Sequence, residues 1–261
     1  MSRQNYYKSR KQRIREQIEE TFILSLVHGE RAIQPRLGGR KLLHMLAEEF
    51  KRNGVYIGRD RFFSLLSSNG LLIKHRAKSC RTTNSRHWFE VYNNLLKDAC
   101  ICGPCQAVVS DITYIRTDEG FMYLSLVMDA YSRAILGYDC SNSLEVEGCL
   151  RSITMALKHL RDSCGVIHHS DRGIQYCSTE YIKRLKLSGF RISMTEENHC
   201  YENSKAERLN GILKDEYGLS ASFLSKSDAR SAVAEAVMLY NYRRPHQRLG
   251  YRYPMEVHSA A

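Results

Sequence analysis

Three carboxylates stand where backbone elements should begin or end, and together they set out a site for hard cations. Asp111 lies in Val108-Val109-Ser110-Asp111-Ile112-Thr113-Tyr114-Ile115, an apolar, strand-like run carrying one acid. Asp171 lies in Val166-Ile167-His168-His169-Ser170-Asp171-Arg172-Gly173, a short strand that ends in an acid and a Gly turn. Glu207 lies in Asn203-Ser204-Lys205-Ala206-Glu207-Arg208-Leu209-Asn210, the start of a helix. Three such carboxylates offer oxygen ligands to two divalent ions, Mg2+ or Mn2+, and a site of that kind cuts and joins phosphodiesters. Without cations, like charges brought that close repel, and one acid keeps its proton.

Each acid also has a structural reading. Asp111 fits a solvent-facing strand position, and Asp171 fits the first residue of a turn. Glu207 fits the return arm of a capping box in Ser204-Lys205-Ala206-Glu207. Asp129 reads as a turn residue or an ion-pair partner of Arg133. Asp215 and Glu216 read as exposed. His168 and His169 suit either hydrogen bonding beside the site or a satisfied place in the core.

The elements that must hold these acids follow from apolar periodicity. Residues 1–20 are charged and suit a helix, with a helical segment following over 21–27 and a break over 34–39. Leu42, Leu43, Leu46 and Phe50 recur at helical spacing, Asn53-Gly54 turns the chain, and a second helix runs over about 59–68. Two short helices around a Gly-containing turn form a helix-turn-helix candidate that exposes Arg59 and Arg61, with Lys74, Arg76, Lys78 and Arg81 following. Strands are expected over 108–115, 121–127 and 134–138, then a helix over 144–160, a strand over 166–168, a helix over 179–187 and a strand over 190–194. Helices over 204–217 and 226–242 close the chain. Three meander strands followed by alternating helices and strands imply an α/β fold, a mixed five-stranded sheet flanked by helices. The expected organisation is a basic helical region over 1–80, a linker over 81–104 and a catalytic core with its C-terminal helices over 105–261.

The 261 residues carry a formal net charge of +11. All of the excess sits in residues 1–99, with 20 Lys+Arg against 9 Asp+Glu, whereas residues 100–261 are balanced at 19 and 19. A basic module beside a neutral one suits binding of a phosphate backbone. No run approaches the roughly 20 apolar residues of a membrane span, and the first residues lack a signal-peptide core, so a cytoplasmic protein is expected. Nine cysteines argue against a closed disulfide framework.

The ordered phrases resemble the second-frame (OrfB) transposases of insertion-sequence family three, whose catalytic core is similar to that of retroviral integrases. The phrases are Asp111-Ile112-Thr113-Tyr114, Met128-Asp129-Ala130-Tyr131-Ser132-Arg133, His169-Ser170-Asp171-Arg172-Gly173, Tyr201-Glu202-Asn203-Ser204-Lys205-Ala206-Glu207 and Tyr240-Asn241-Tyr242-Arg243-Arg244-Pro245-His246. The resemblance implies a ribonuclease-H-like fold and Asp111, Asp171 and Glu207 as metal-binding catalytic residues. It further implies cleavage of element ends and joining of the freed 3′-OH to target DNA. The expected partners are the terminal inverted repeats, target DNA, an upstream-frame protein or fusion, and further copies of the chain on DNA. Arg59, Arg61, Lys205, Arg208, Lys214 and Arg244 are the DNA contacts it suggests.

The sequence departs from the family pattern in three places. Ala107, Val108 and Val109 stand where an aromatic residue commonly precedes the first acid. Glu202 replaces a usual Asp, and Gly211 replaces a basic residue one turn before Lys214. Cys100, Cys102 and Cys105 read as free thiols, because His75 and His87 are too far apart to complete an integrase-type zinc site. A catalytically silent DNA-binding product of a mobile element and a nuclease of the same fold are the alternative readings.

Overall fold

The computed structural model describes residues 3–73, 90–160, 162–196 and 203–260. Lys74, Arg76, Lys78, Arg81, His75, His87 and Glu202 lie outside the described residues, as does the first part of the expected linker. The chain divides into two compact units, Met1–Arg76 and Ala77–Ala261.

The first unit is built from three helices, α1 (Arg3–Ile33), α2 (Gly39–Arg52) and α3 (Arg59–Ser68). The charged segment and the apolar segment after it form one continuous helix, because nothing between Arg3 and His28 breaks it: Gly and Pro are absent there. Ile23 and Val27 of α1, Leu42, Leu46 and Phe50 of α2, and Phe62, Leu65 and Leu66 of α3 share one core. Gly39 lets α2 begin close to α3: a Cβ there would meet the Phe63 ring at 3.0 Å. Arg59 and Arg61 sit in the first turn of α3, paired with Asp60 at 2.9 Å and with Glu20 at 3.9 Å. Both side chains remain largely open to solvent.

The second unit is a sheet with helices on both faces. Strands β1 (Ala107–Thr117), β2 (Gly120–Asp129) and β3 (Ile135–Ser141) form an antiparallel meander. Helix α4 (Val146–Leu157) leads to β4 (Ile167–Ser170), which pairs parallel to β1. Short α5 (Ile174–Cys177) and α6 (Thr179–Leu187) return to β5 (Arg191–Met194), parallel to β4. Next come α7 (Ser204–Glu216), β6 (Ser222–Phe223), α8 (Lys226–Tyr242), a 3-10 turn (Gln247–Leu249) and α9 (Pro254–Ser259). The order along the sheet is β3-β2-β1-β4-β5, the five expected strands, with the two-residue β6 added beside β1.

Alternation along β1 decides what each face receives. Val109 and Ile115 pack into the core shared with Leu209 and Leu213 of α7 and with Val233 and Tyr240 of α8. Val108 packs into the opposite core with Ile153 of α4 and Tyr181 of α6. Helix α4 lies so close to β3 that a Cβ on Gly137 would fall onto the Ser152 carbonyl oxygen, so only glycine fits there.

Candidate active site

Asp111 shares the odd-numbered face of β1 with Val109 and Ile115 and therefore points toward α7. The parallel ladder between β1 and β4 aligns Ala107 with Ile167 and Val109 with His169. Asp171 is the first residue past β4. Asp111 and Asp171 each lie two residues beyond the last aligned pair, Val109–His169, and the charge of Asp171 reaches the Asp111 carboxyl. Helix α7 supplies the third acid. Its inward residues are Ala206, Leu209, Ile212 and Leu213, and this packing carries Glu207, in the first turn, onto the exposed flank beside β1.

The electrostatics record the same grouping. The carboxyl of Asp111 is buried although the residue as a whole is half-buried. Burial, then the charge of Asp171, and more weakly that of Glu207, push it up to about 8. Two hydrogen bonds pull the other way: the Ile112 amide donates to Oδ1 at 3.0 Å and Asn210 Nδ2 donates to Oδ2 at 2.7 Å. Asp171 Oδ1 accepts from the Gly173 amide at 3.0 Å, which fixes the turn after β4. Among the described residues no three His, Cys, Asp or Glu side chains are already placed to hold a metal ion. What links the three acids is charge: Asp171 and, more weakly, Glu207 act on the Asp111 carboxyl.

The alternative reading of Glu207, a capping box starting at Ser204, does not match the observed cap. The N-cap is Asn203, whose carbonyl accepts from the Ala206 and Glu207 amides, and Asn203 Nδ2 donates to the Ser110 carbonyl at 3.1 Å. That bond pins the start of α7 to β1 next to Asp111. Sequence reasoning missed Asn203 and Asn210. The helical spacing of Asn210 from Glu207, one turn on along the same face, was the available signal.

The basic residues of α7 separate in space. Lys214 is half-buried; burial holds its ammonium below the ordinary lysine range, while the Asp111 charge favours its protonated form. It therefore borders the acids. Arg208 is exposed. Lys205 instead lines a cavity with Arg133 and Arg248. Arg244 corrects the expectation of a DNA contact. It is 3 % exposed, and its guanidinium is held by Glu216 in a bidentate pair at 2.7 and 2.9 Å, so it clamps α7 to the end of α8. Glu216, expected to be exposed, is correspondingly half-buried.

The neighbouring expectations resolve as follows. Asp129 takes the turn role: its buried carboxylate accepts from the amides of Cys105, Tyr131 and Ser132 and from the Ser132 hydroxyl. His168 is buried, with Nε2 2.9 Å from both Ser110 Oγ and Tyr181 Oη, and burial lowers it to about 3. His169 Nδ1 lies 2.8 Å from Ser193 Oγ. Both histidines are core residues with polar partners. Cys100, Cys102 and Cys105 take part in no disulfide.

Comparisons with known proteins bear on the family and the fold. The integrase core domain family matches residues 103–200, and a second integrase core domain family matches residues 188–254. The 31 kDa protein of insertion element IS600 from Shigella sonnei is 35% identical over 238 residues, 90% of this chain and 86% of that protein. The transposase InsF of insertion sequence IS3A from Escherichia coli K12 is 34% identical over 207 residues, 78% of this chain and 72% of its own length. Among solved structures, a chain of the simian T-cell lymphotropic virus intasome, determined with a PP2A regulatory subunit, shares the fold at a TM-score of 0.50. It is 17% identical, over 85% of this chain and 70% of that one.

Proposed function

The chain belongs to the transposases of insertion-sequence family three, and from that premise we propose that Asp111, Asp171 and Glu207 are its catalytic metal-binding residues. The observation that supports this reading most is that the charges of Asp171 and, more weakly, Glu207 both act on the buried Asp111 carboxyl, from the end of β4 and the first turn of α7. The family's work on DNA supplies the substrate: the ends of its own element and a target duplex.

The donor set fits divalent cations. Three carboxylates lie within electrostatic reach of one another, and burial first, then the charge of Asp171, keeps the proton on Asp111. Asp111, Asp171 and Glu207 would hold Mg2+ or Mn2+, two ions in the active complex. When bound, the cations neutralise the carboxylates and the developing charge at phosphorus.

The reaction balances as two displacements. Water attacks a phosphorus at the element end, the P–O3′ bond breaks, and a 3′-OH and a 5′-phosphate result. The freed 3′-OH then attacks a target phosphorus, joining the strands and releasing the target's own 3′-OH. The residues of this chain act by orientation and charge. Asn210 and the Ile112 amide hold the Asp111 carboxylate in place. Lys214 offers a positive charge to the phosphate backbone beside the acids. Arg59 and Arg61 on α3, in the helical unit, bind duplex DNA by its phosphates.

The test is a strand-joining assay on a duplex carrying the sequence that flanks the gene. Cleavage and joining should vanish with EDTA and return with Mg2+ or Mn2+. Joining that persists in EDTA would remove the metal reading.

A further inference from the structure

A basic cavity of about 580 Å3 opens in the catalytic unit, and Asp111, Asp171 and Glu207 are not among the residues lining it. Its cations come from three segments far apart in sequence, the β2–β3 turn, the first turn of α7 and the loop that follows α8, with Ile101 before β1 and Val257 of α9 completing the lining. Its cations are Arg133, Lys205, Arg248 and Arg252, and among the described residues no carboxylate lines it. Ile101, Leu249 and the Tyr131 ring give it an apolar wall.

The backbone is shaped to hold these groups. Arg133 has φ 65 and Tyr251 has φ 65, both in the left-handed region that side chains other than glycine and asparagine rarely adopt. The Asp129 carboxylate beneath the turn is taken up by three amides and a hydroxyl, so the hydrogen bonds fixing the turn saturate the nearest acid. The Arg133 guanidinium is half-buried beside Arg248. Concentrating like charges in one partly buried cavity is unfavourable unless an anion is bound there.

The cavity is also the wrong shape for a simple anion. Its volume falls within the roughly 300–1,000 Å3 of sites that enclose small organic molecules. A phosphate would occupy only the cationic side and leave the apolar wall uncovered. Tyr131, 37% exposed, presents a ring on which a base can stack.

We propose that this cavity holds one nucleotide of a DNA strand, with its phosphate on Arg133, Lys205 and Arg248 and its base against Tyr131. The inference rests on the reading of the chain as a DNA-joining enzyme. It adds a second grip on a strand, on the same helix as Glu207 but on a different flank. An unpaired nucleotide fits this geometry, because a stacked and paired base has no free face to offer Tyr131.

The test uses the full chain and a single-stranded oligonucleotide carrying 5-iodouracil, irradiated and mapped by mass spectrometry. A crosslink at Tyr131 is expected. Arg248→Gln should lower its yield roughly tenfold at subsaturating DNA, as loss of a charge-assisted phosphate contact would. Arg133→Asn, which keeps a residue suited to positive φ, should do the same, and Arg248→Lys should restore most of the yield. Arg248 is exposed, so its variants fold even if changes at Arg133 do not.

Inorganic phosphate and thymidine monophosphate serve as competitors. A strand site yields to unlabelled oligonucleotide far sooner than to either. Equal yield in the Arg248→Gln protein, crosslinks that avoid Tyr131, or competition by phosphate as effective as by oligonucleotide would each overturn the proposal. Failure of the metal-site reading looks different: Asp111→Asn would then join strands, and the Tyr131 crosslink would be unaffected.

Discussion

Asn210 Nδ2 donates to Asp111 Oδ2 over 2.7 Å, so the helix that carries Glu207 is tied directly to the strand that carries Asp111. Asn203, one turn before Glu207, makes a second tie to the Ser110 carbonyl on the same strand. The relative position of two acids from opposite ends of the catalytic unit is thereby fixed by two asparagine amides. Both lie on α7 or at its cap, and both are buried.

Asn210→Ala should therefore disturb Asp111 while leaving Glu207 in place. Loss of the donor removes stabilisation of the Asp111 anion, and the acid limb of the cleavage profile should move to higher pH at fixed Mg2+. The rate at neutral pH should fall by roughly tenfold, the scale of one lost hydrogen bond to a charged group. A pH profile superimposable on that of the wild type would show that Asn210 only packs.

Asp111 also predicts how the metal-free protein responds to pH. Its folded pKa, about 8, lies above the ordinary carboxylate value of 3.8, so the native state holds a proton that the unfolded chain has lost. That contribution to stability is full below the unfolded value and is lost as pH rises toward 8. Thermal melting in EDTA should weaken between pH 5 and 8, on the order of 2 kcal/mol for a residue that is half-buried as a whole. Asp111→Asn should flatten the curve, and Mg2+ should stabilise the wild type more at pH 8 than at pH 5. An equal slope in the Asp111→Asn protein would assign the pH dependence elsewhere.

Arg244 and Glu216 should behave as structural partners. Arg244→Ala leaves a half-buried carboxylate without its bidentate donor and should cost about 3 kcal/mol, at the low end for a broken buried pair because Glu216 retains some solvent. Melting temperature is the readout. A normal melting temperature combined with weakened DNA binding would return Arg244 to the DNA surface.

Lys214→Ala should weaken engagement of the element end and reduce the salt slope of binding by about one. Its place beside Asp111 puts the ammonium next to the scissile region, where Lys acts as a point charge on phosphate. Crosslinking of a cognate end to both proteins decides this, and equal yields would make Lys214 a solvated surface residue.

Much of the frame was legible because it depends on local patterning. The bounds expected for α3, α6 and α8 coincide with those observed, since each has a capping or turn residue at its start and apolar residues at helical spacing. The odd–even alternation of β1 is also plain in the sequence, and it determines which helix Asp111 faces. What stayed hidden depends on contacts between distant segments. The pairing of Arg244 with Glu216 joins the ends of two helices, and an arginine in a polar tail reads as surface until burial is known. The Asn210 bond spans 99 residues. The cavity around Lys205 is assembled from segments that no spacing rule connects.

The most direct measurement is strand cleavage and DNA binding, made side by side, for Asp111→Asn, Asp171→Asn and Glu207→Gln with a cognate element end and Mg2+. Each change removes a charged oxygen ligand and leaves side-chain size and the phosphate contacts intact. All three proteins should bind the end within about twofold of the wild type while cleavage falls by at least about a thousandfold, the scale of losing an essential catalytic group. Cleavage retained by any one of the three would contradict the assignment of that residue, and retention by Asp111→Asn would contradict the site as a whole.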